Sequence, residues 1–330
     1  MKTLYLTTSE EDLLKGAEII KNGGLVAFPT ETVYGLGGNA LDGQSSRKIY
    51  AAKGRPSDNP LIVHISDMSE IEGLAAEFPE NARKLGEAIW PGPLTIVLPK
   101  KPVVPDETTG GLGTVAIRLP ANSAAQKLIA NSGVPIAAPS ANLSGRPSPT
   151  LWEHVKHDLD GKADAIIMGE PCMGGIESTV CDFTDPQHPL VLRPGLITPE
   201  RISEILGIPC EYDPAILSKP EEGLVPRAPG MKYKHYAPNA QMVLYSGSPE
   251  DVKEAILEEE EALKKEGKTV GTIIYEDGKQ AARNLFSDLR ALDEQGIDVI
   301  LASALDPQDP VNYSVMNRML KAAGYNIKEV

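Results

Sequence analysis

Aromatic residues, cysteines and long apolar runs are all scarce in this chain of 330 residues. Only 5% of the residues are aromatic, and the three cysteines, Cys172, Cys181 and Cys210, lack the CxxC spacing of a zinc ribbon. An odd number of cysteines argues against a disulfide framework and fits a reducing compartment. A membrane-spanning helix needs about 18 consecutive apolar residues, and no run in this sequence is that long. The first residues show no signal-peptide pattern. We therefore expect a cytoplasmic protein that does not enter a membrane.

Positive charge is also in deficit, with 32 Lys and Arg against 46 Asp and Glu and a net charge of -14. Tight, non-specific binding to nucleic acid or anionic membrane needs clustered cations. We therefore expect small-molecule partners and no tight direct binding of nucleic acid. The 41% of hydrophobic residues is enough to bury a core, and the length suits two domains.

Residues 1–206 alternate between short apolar runs and helical patterns, which predicts an α/β domain with a twisted open mixed sheet. A capping box at Thr8 and Glu11 predicts the start of the first helix. Strands are predicted at Leu25–Phe28, Leu61–Ile65, Leu94–Leu98, Val115–Leu119, Pro135–Ala138, Ala165–Met168 and Thr179–Phe183. Further helices are predicted at Arg47–Lys53, Asn81–Trp90, Ala124–Asn131 and Pro199–Leu206.

Residues 207–240 contain many prolines and little periodicity, which predicts a semi-rigid linker. We also interpret this linker as a possible lid whose Tyr236 meets the ligand; a plain tether is the alternative. The order βαβαβα then follows in residues 241–330, which predicts a smaller Rossmann-like domain with a parallel sheet. Its predicted elements are Met242–Tyr245, Pro249–Lys265, Val270–Tyr275, Lys279–Glu294, Val299–Ala302 and Val311–Ala323.

A Gly-rich segment, residues 29–38, directly follows the predicted strand Leu25–Phe28. Ligands bind in α/β folds at the carboxyl edge of the sheet, so this segment is a candidate site, although a plain turn explains it as well. Gly35–Ala40 also fits the GxGxxA dinucleotide pattern. However, six residues separate the strand from Gly35, and the next helix pattern starts only near Ser45. We therefore rank redox chemistry with NAD low.

Cationic and hydroxyl-bearing side chains also lie near the ends of several other predicted strands. Lys53 and Arg55 lie in a Gly/Pro loop that suits a triphosphate, and Asn59 adds an amide. Arg118 stands at a strand end, where its guanidinium suits a carboxylate; an interior salt bridge is the alternative. His64, taken alone, is more often a core histidine than a functional one. Hydroxyl-rich loops lie at residues 138–148 and 177–180, and Arg193 follows another apolar run.

Seven segments resemble, in order and spacing, the YrdC-like threonylcarbamoyl-AMP synthases: PTETVYGLG, KGRPSDNPLIVHI, PGPLTIVL, VAIRLP, APSANLSGRPSPT, ESTV and LRPG. The segments APGMKYKHYAP and NYSVMNRMLKAAG resemble the longer, two-domain branch of the same family. The resemblance implies a YrdC-like sheet that encloses a large basic cavity. It also implies that L-threonine, bicarbonate or CO2, and ATP are converted into L-threonylcarbamoyladenylate and pyrophosphate. The product feeds the threonylcarbamoyl modification of the adenosine beside the tRNA anticodon, which downstream threonylcarbamoyl-transfer proteins complete.

The resemblance also implies roles for single residues. Lys53, Arg55 and Arg118 are the expected catalytic residues of this nucleotidyltransferase. L-Threonine is expected to be bound by Thr32, His64, Arg118, Ala138 and Ser178. ATP, with Mg2+ on its phosphates, is expected to be bound by Lys53, Arg55, Asn59, Thr114, Ser140, Ser148, Arg193 and Tyr236. No protein ligand of a metal is predicted, and the base for the threonine amine is His64, the substrate itself or solvent.

Two further functions compete with this interpretation. YrdC-like domains have a basic concave surface that suits RNA, although the net charge of -14 weakens an RNA-binding function. A related domain also transfers carbamoyl groups in hydrogenase maturation factors. Those proteins carry acylphosphatase and zinc-finger-like segments as well, for which this chain has neither the length nor the cysteines.

Overall fold

The computed structural model describes residues 2–216 and 235–330. These residues form two compact units. The first comprises the residues before Gly145 and from Pro149 to residue 216, and the second comprises Gly145–Ser148 together with residues 235–330. Among the residues so described, no helix is both long and apolar enough to cross a membrane.

The first unit contains a sheet of eleven strands that mixes parallel and antiparallel pairs, in the order β1-β8-β2-β3-β7-β4-β6-β5-β9-β10-β11. The strands are β1 (Leu4–Leu6), β2 (Val26–Phe28), β3 (Gly35–Asn39), β4 (Ile62–His64), β5 (Leu94–Pro99), β6 (Thr114–Arg118), β7 (Ile136–Ala137), β8 (Ala165–Ile167), β9 (Thr179–Asp182), β10 (Leu190–Arg193) and β11 (Glu211–Tyr212). The expected large mixed sheet is thereby confirmed.

Eight helices belong to the described part of this unit: α1 (Glu10–Lys21), α2 (Gly43–Lys53), α3 (Ile71–Leu74), α4 (Glu80–Ile89), α5 (Asp106–Thr109), α6 (Ser123–Ser132), α7 (Trp152–Leu159) and α8 (Pro199–Leu206). Single 3-10 turns lie at Met68–Glu70 and Pro214–Ile216. The predicted capping box at Thr8 is wrong by one residue, because the Ser9 side chain accepts the hydrogen bond from the Asp12 backbone N–H.

The central strands of the sheet have two different faces. Side chains such as Val63, Ile96 and Ile117 enter the main hydrophobic core on one face. Side chains alternate along a strand, so the residues next to them point to the other face. There Ile62 and Ala116 pack in a smaller apolar cluster. His64 and Arg118, two positions further along the same strands, share the face of that smaller cluster.

Strand β3 is made largely of glycine, and no strand was predicted at these residues. A Cβ atom at Gly37 would lie 2.7 Å from side-chain atoms of both Phe28 and Ile136. Glycine therefore lets the side chains of the two neighbouring strands pack over β3. Since Gly35–Asn39 pair with β2 and β7, these glycines do not form the turn of a dinucleotide site.

The second unit contains a parallel sheet of four strands in the order β13-β14-β12-β15. Its elements are β12 (Gln241–Ser246), α9 (Pro249–Lys265), β13 (Val270–Ile273), α10 (Gly278–Glu294), β14 (Val299–Ser303), α11 (Pro310–Ala322) and β15 (Ile327–Glu329). The expected second, parallel sheet is confirmed. Strand β15 was not predicted, because its three residues are exposed and show no apolar pattern.

The predicted linker is only partly described. Of residues 207–240, those from 217 to 234 lie outside the described residues, and the lid hypothesis remains a prediction. Before them, Glu211–Tyr212 pair in parallel with β10.

Candidate active site

Arg118 lies at the end of β6 and is almost completely buried, with 4% of its surface exposed. Its Nη2 donates to Glu31 Oε1 at 2.7 Å and to Thr32 Oγ1 at 2.9 Å. The second oxygen of Glu31 accepts from the Ala121 backbone N–H at 3.0 Å. Within the described chain, the buried Nε of Arg118 has no hydrogen-bond partner. A buried donor without a partner is costly, which makes this edge of the guanidinium a candidate contact for a ligand.

His64 is the register neighbour of Arg118 on β4. Its Nδ1 lies 3.1 Å from the Ile62 carbonyl oxygen, and its ring packs edge-on against Phe28, with the ring centres 6.0 Å apart. Burial first, and then the Arg118 charge, lower the pKa of His64 to about 3. His64 is therefore neutral at physiological pH and is a hydrogen-bonding group there.

His64 and Arg118 begin a row of polar side chains that continues across β5, β9 and β10 on the other side of Arg118. Thr95 is the register neighbour of Arg118 on β5, and its Oγ1 lies 2.8 Å from Ser178 Oγ. Arg193, at the end of β10, donates from Nη2 to Ser178 Oγ and from Nε to the Ser178 carbonyl, both at 3.0 Å. The structure therefore brings four predicted residues into one polar row on the sheet face: His64, Arg118, Ser178 and Arg193.

Lys53 ends α2, where Gly54 takes a left-handed conformation with φ of 62° and terminates the helix. The buried ammonium group of Lys53 donates to the backbone carbonyls of Ser140 and Asn142. Ser140 in turn donates its hydroxyl to Asn142 Oδ1 at 2.5 Å. The loop that follows β7 is thereby fixed to the end of α2, and two predicted ATP residues, Lys53 and Ser140, are brought together.

Arg55 and Asn59 lie in the loop between α2 and β4. The Arg55 guanidinium donates to the carbonyls of Asn59 at 3.3 Å and of Pro60 at 3.1 Å. The Asn59 side chain is 1% exposed, and its Oδ1 has no hydrogen-bond partner in the described residues. An acceptor left without a partner in this way fits a ligand that offers a donor, such as a ribose hydroxyl or an exocyclic amine.

The remaining predicted residues lie in different places. Thr114 begins β6, opposite Pro99. The Ala138 backbone N–H already donates to the Ile62 carbonyl at 2.8 Å. A backbone contact from Ala138 to a ligand would therefore use the Ala138 carbonyl oxygen. Ser148 and Tyr236, both predicted ATP residues, belong to the second compact unit.

Glu31 is the site residue that the sequence reasoning missed. It forms an ion pair with Arg118, and the two side chains are 21% and 5% exposed. The signal was present in the sequence, because a carboxylate stands directly beside Thr32 in the Thr-Glu-Thr segment. Its partner, however, is 87 residues away in the chain, and no local pattern reveals that contact.

Comparison with known proteins assigns the class of each unit. A family model for the Sua5, YciO and YrdC proteins, described as "Telomere recombination", matches residues 18–195. A second model, described as "Threonylcarbamoyl-AMP synthase, C-terminal domain", matches residues 197–324. An Escherichia coli YciO structure, 26% identical, matches the fold with a TM-score of 0.52 and covers 59% of this chain and 97% of its own.

Longer relatives cover both units. The threonylcarbamoyl-AMP synthase of Pyrococcus abyssi is 48% identical over 95% of this chain and 94% of its own. That of Bacillus subtilis is 45% identical over 97% of this chain and 95% of its own. The structure of P. abyssi Sua5 complexed with L-threonine covers 100% of both chains with a TM-score of 0.94 and 45% identity. The chain belongs to the threonylcarbamoyl-AMP synthase family.

Proposed function

We propose that the protein joins L-threonine, bicarbonate or CO2, and ATP into L-threonylcarbamoyladenylate and releases pyrophosphate. The observation that carries this proposal is the buried Arg118, whose Nη2 is held by Glu31 and Thr32 while its Nε has no partner among the residues described. Such a guanidinium edge suits the carboxylate of an amino acid. Relatives of 45% and 48% identity along nearly the whole chain carry the name of this enzyme.

In this proposal the polar row binds threonine. Arg118 holds the carboxylate, with Thr32, Ser178 and the Ala138 backbone around the rest of the molecule. Neutral His64 orients the substrate through a hydrogen bond. A pKa of about 3 makes His64 too weak a base for the threonine ammonium at neutral pH. We therefore assign that proton to solvent or to the bicarbonate-derived group.

The cations of the first unit bind the triphosphate. The neutral threonine amine forms a bond to the carbon of CO2 and loses a proton, which gives a carbamate; starting from bicarbonate, this proton leaves in one molecule of water. A carbamate oxygen then attacks the α-phosphorus, the bond from the α-phosphorus to the bridging oxygen of pyrophosphate breaks, and pyrophosphate leaves with that electron pair. Positioning and charge stabilisation account for most of such phosphoryl chemistry. We assign these roles to Lys53, Arg55 and Arg193, with Asn59, Thr114, Ser140, Ser148 and Tyr236 as further ATP contacts.

Mg2+ belongs to the proposal as the counter-ion of ATP. Within residues 2–216 and 235–330, no cluster of three His, Cys, Asp or Glu side chains could hold a metal ion. The residues therefore fit a cation that the phosphates and water carry, and it would neutralise charge on the leaving pyrophosphate. We further propose that the protein acts in the cytoplasm and supplies its adenylate to the tRNA threonylcarbamoyl-transfer proteins.

The test is pyrophosphate release by the purified protein with ATP, Mg2+ and bicarbonate, with and without L-threonine. We expect release that depends on threonine, together with a product that has the mass of threonylcarbamoyladenylate. Release that ignores threonine, or no release at all, would contradict the proposal and favour RNA binding or carbamoyl transfer.

A further inference from the structure

The stretch Gly145–Ser148 lies in the chain between β7 and α7 of the first unit, yet it belongs to the second compact unit. It carries Ser148, which is buried and which the family resemblance assigns to ATP. The contacts that hold this stretch come from helix α10 and from the residues just before β12.

Arg290 of α10 makes the central contact. Its Nε and Nη2 both donate to the carbonyl oxygen of Pro147, at 3.1 and 2.7 Å. Arg290 is 6% exposed, so this fork is shielded from solvent. Two charge-assisted hydrogen bonds from a planar guanidinium fix the carbonyl in direction as well as in position. The peptide that joins Pro147 to Ser148 is therefore fixed by α10.

The same face of α10 also holds Tyr236, the other ATP residue of this unit. Phe286 lies one helical turn before Arg290 and is fully buried. The ring of Tyr236 stacks on it, with the ring centres 5.1 Å apart and the planes at 28°. The next residue, Ala237, donates its backbone N–H to the Gly145 carbonyl at 2.9 Å. The segments that contain Ser148 and Tyr236 are thus bonded to each other and to one helix.

Tyr236 also has an unusual backbone. Its φ of 65° lies in the left-handed region, which is unfavourable for a residue with a bulky side chain. Such a conformation persists where the surroundings hold it in place. Here the stack on Phe286 and the bond from Ala237 to Gly145 supply that support.

We propose that α10 positions the two ATP residues of its own compact unit, with Arg290 as the positioning residue for Ser148 and Phe286 as that for Tyr236. This inference rests on the proposed function, because the roles of Ser148 and Tyr236 come from it. Arg290 acts through Pro147 and not on the nucleotide. Holding binding groups in their bound geometry before the ligand arrives lowers the entropic cost of binding.

The experiment compares Arg290→Ala, Arg290→Lys and Phe286→Leu with the wild type in the full chain. The matched control is Arg283→Ala, which removes an exposed arginine two turns earlier on the same helix. Three quantities are measured: the Kd of ATP by titration calorimetry, the Kd of L-threonine by the same method, and the thermal midpoint. Where product forms, the KM values of both substrates and kcat are added.

We expect Arg290→Ala, which removes both charge-assisted hydrogen bonds to Pro147, to raise the Kd and KM of ATP about tenfold and to leave the Kd of threonine unchanged. Lysine offers a point charge without the fork, so Arg290→Lys restores part of the affinity. Phe286→Leu weakens ATP binding in the same direction, and Arg283→Ala changes nothing.

A lower thermal midpoint with unchanged ATP affinity in both Arg290→Lys and Phe286→Leu would overturn the inference and leave Arg290 a structural residue. Those two variants decide the question if Arg290→Ala does not fold. Failure of the proposed function looks different: the wild type then forms no adenylate, while the dependence of ATP affinity on Arg290 is still measured by calorimetry.

Discussion

The two units of the molecule place their polar residues differently on their sheets. In the first unit, buried polar side chains form a row across strands β4, β6, β5, β9 and β10, where they are related by strand register or by hydrogen bonds. In the second unit, polar residues collect in the loops that follow β12, β13 and β14, around an open cavity of about 1030 Å3. Positions on strands hold a side chain more precisely than positions on loops.

The side chains around the cavity of the second unit are less suited to a reaction than those of the polar row. Two of the carboxylates around this cavity cap helices: Asp277 accepts from Gln280 N–H, and Asp309 accepts from Val311 and Asn312 N–H. Its lysines, Lys253 and Lys279, are exposed. The row in the first unit has instead a fixed ion pair, a neutral histidine and a guanidinium edge without a partner in the described chain. We therefore expect reaction chemistry in the first unit only.

The largest expected effect is that of Arg118→Ala. Its loss removes the carboxylate-binding group and leaves the partly buried Glu31 without its cation, which adds to the loss. We expect kcat/KM for threonine to fall by about three orders of magnitude, measured as threonine-dependent pyrophosphate release. Arg201→Ala is the control, because Arg201 pairs with Glu204 on the exposed surface of α8. Retained threonine affinity in Arg118→Ala would place the substrate elsewhere.

Glu31→Gln should have a smaller effect. Glutamine preserves the shape and one acceptor oxygen, but it loses the charge that holds the Arg118 guanidinium. We expect the KM of threonine to rise about tenfold, as for the loss of one charge-assisted contact, with the KM of ATP unchanged. Glu31→Ala should be worse than Glu31→Gln. An equal rise in both KM values would show that Glu31 stabilises the fold and does not position Arg118.

The pH dependence of stability tests the buried histidine. The pKa of His64 is about 3 in the folded protein and about 6.5 when unfolded. Between these values only the unfolded state binds the proton, so His64 makes the folded protein less stable as the pH falls from 6.5 towards 3. We expect His64→Asn to flatten this part of the curve of thermal midpoint against pH. Parallel curves for the wild type and the variant would contradict a neutral, buried His64.

The smallest effect is expected in the second cavity. Lys253→Ala and Lys279→Ala, alone or together, should leave kcat and both KM values within about twofold of the wild type, because single surface substitutions rarely change more than about 0.5 kcal/mol. A large loss of turnover would show that the loops of the second sheet take part in the reaction, and the contrast between the two units would then be wrong.

Helix ends could be predicted more accurately from the sequence than a strand made of glycine. The helices Pro199–Leu206 and Pro249–Lys265 were predicted with the observed ends. In the structure Thr198 and Ser248 cap them, and each begins with proline. Strand β3 was missed, because its glycines serve packing by Phe28 and Ile136, which lie on other strands. Such a reason is visible only in three dimensions.

Some residues of the candidate site could likewise be predicted from the sequence, and others could not. The resemblance identified the residue types, and the structure brings Thr32, His64, Arg118, Ser178 and Arg193 into hydrogen-bond or register contact. Glu31 and Arg290 could not be predicted, because their partners lie 87 and 143 residues away. The residues of a loop do not by themselves indicate which distant helix donates a hydrogen bond to a backbone carbonyl such as that of Pro147.

The contact between Pro147 and Arg290 also has a consequence for synthesis of the chain on the ribosome. A chain is made from its amino terminus, and domains generally fold as units in that order. The strands of the first sheet all emerge before Arg290, whereas the loop that contains Ser148 waits for 143 further residues before its anchor exists. The nascent protein therefore completes this loop only after all strands of the first sheet have been made.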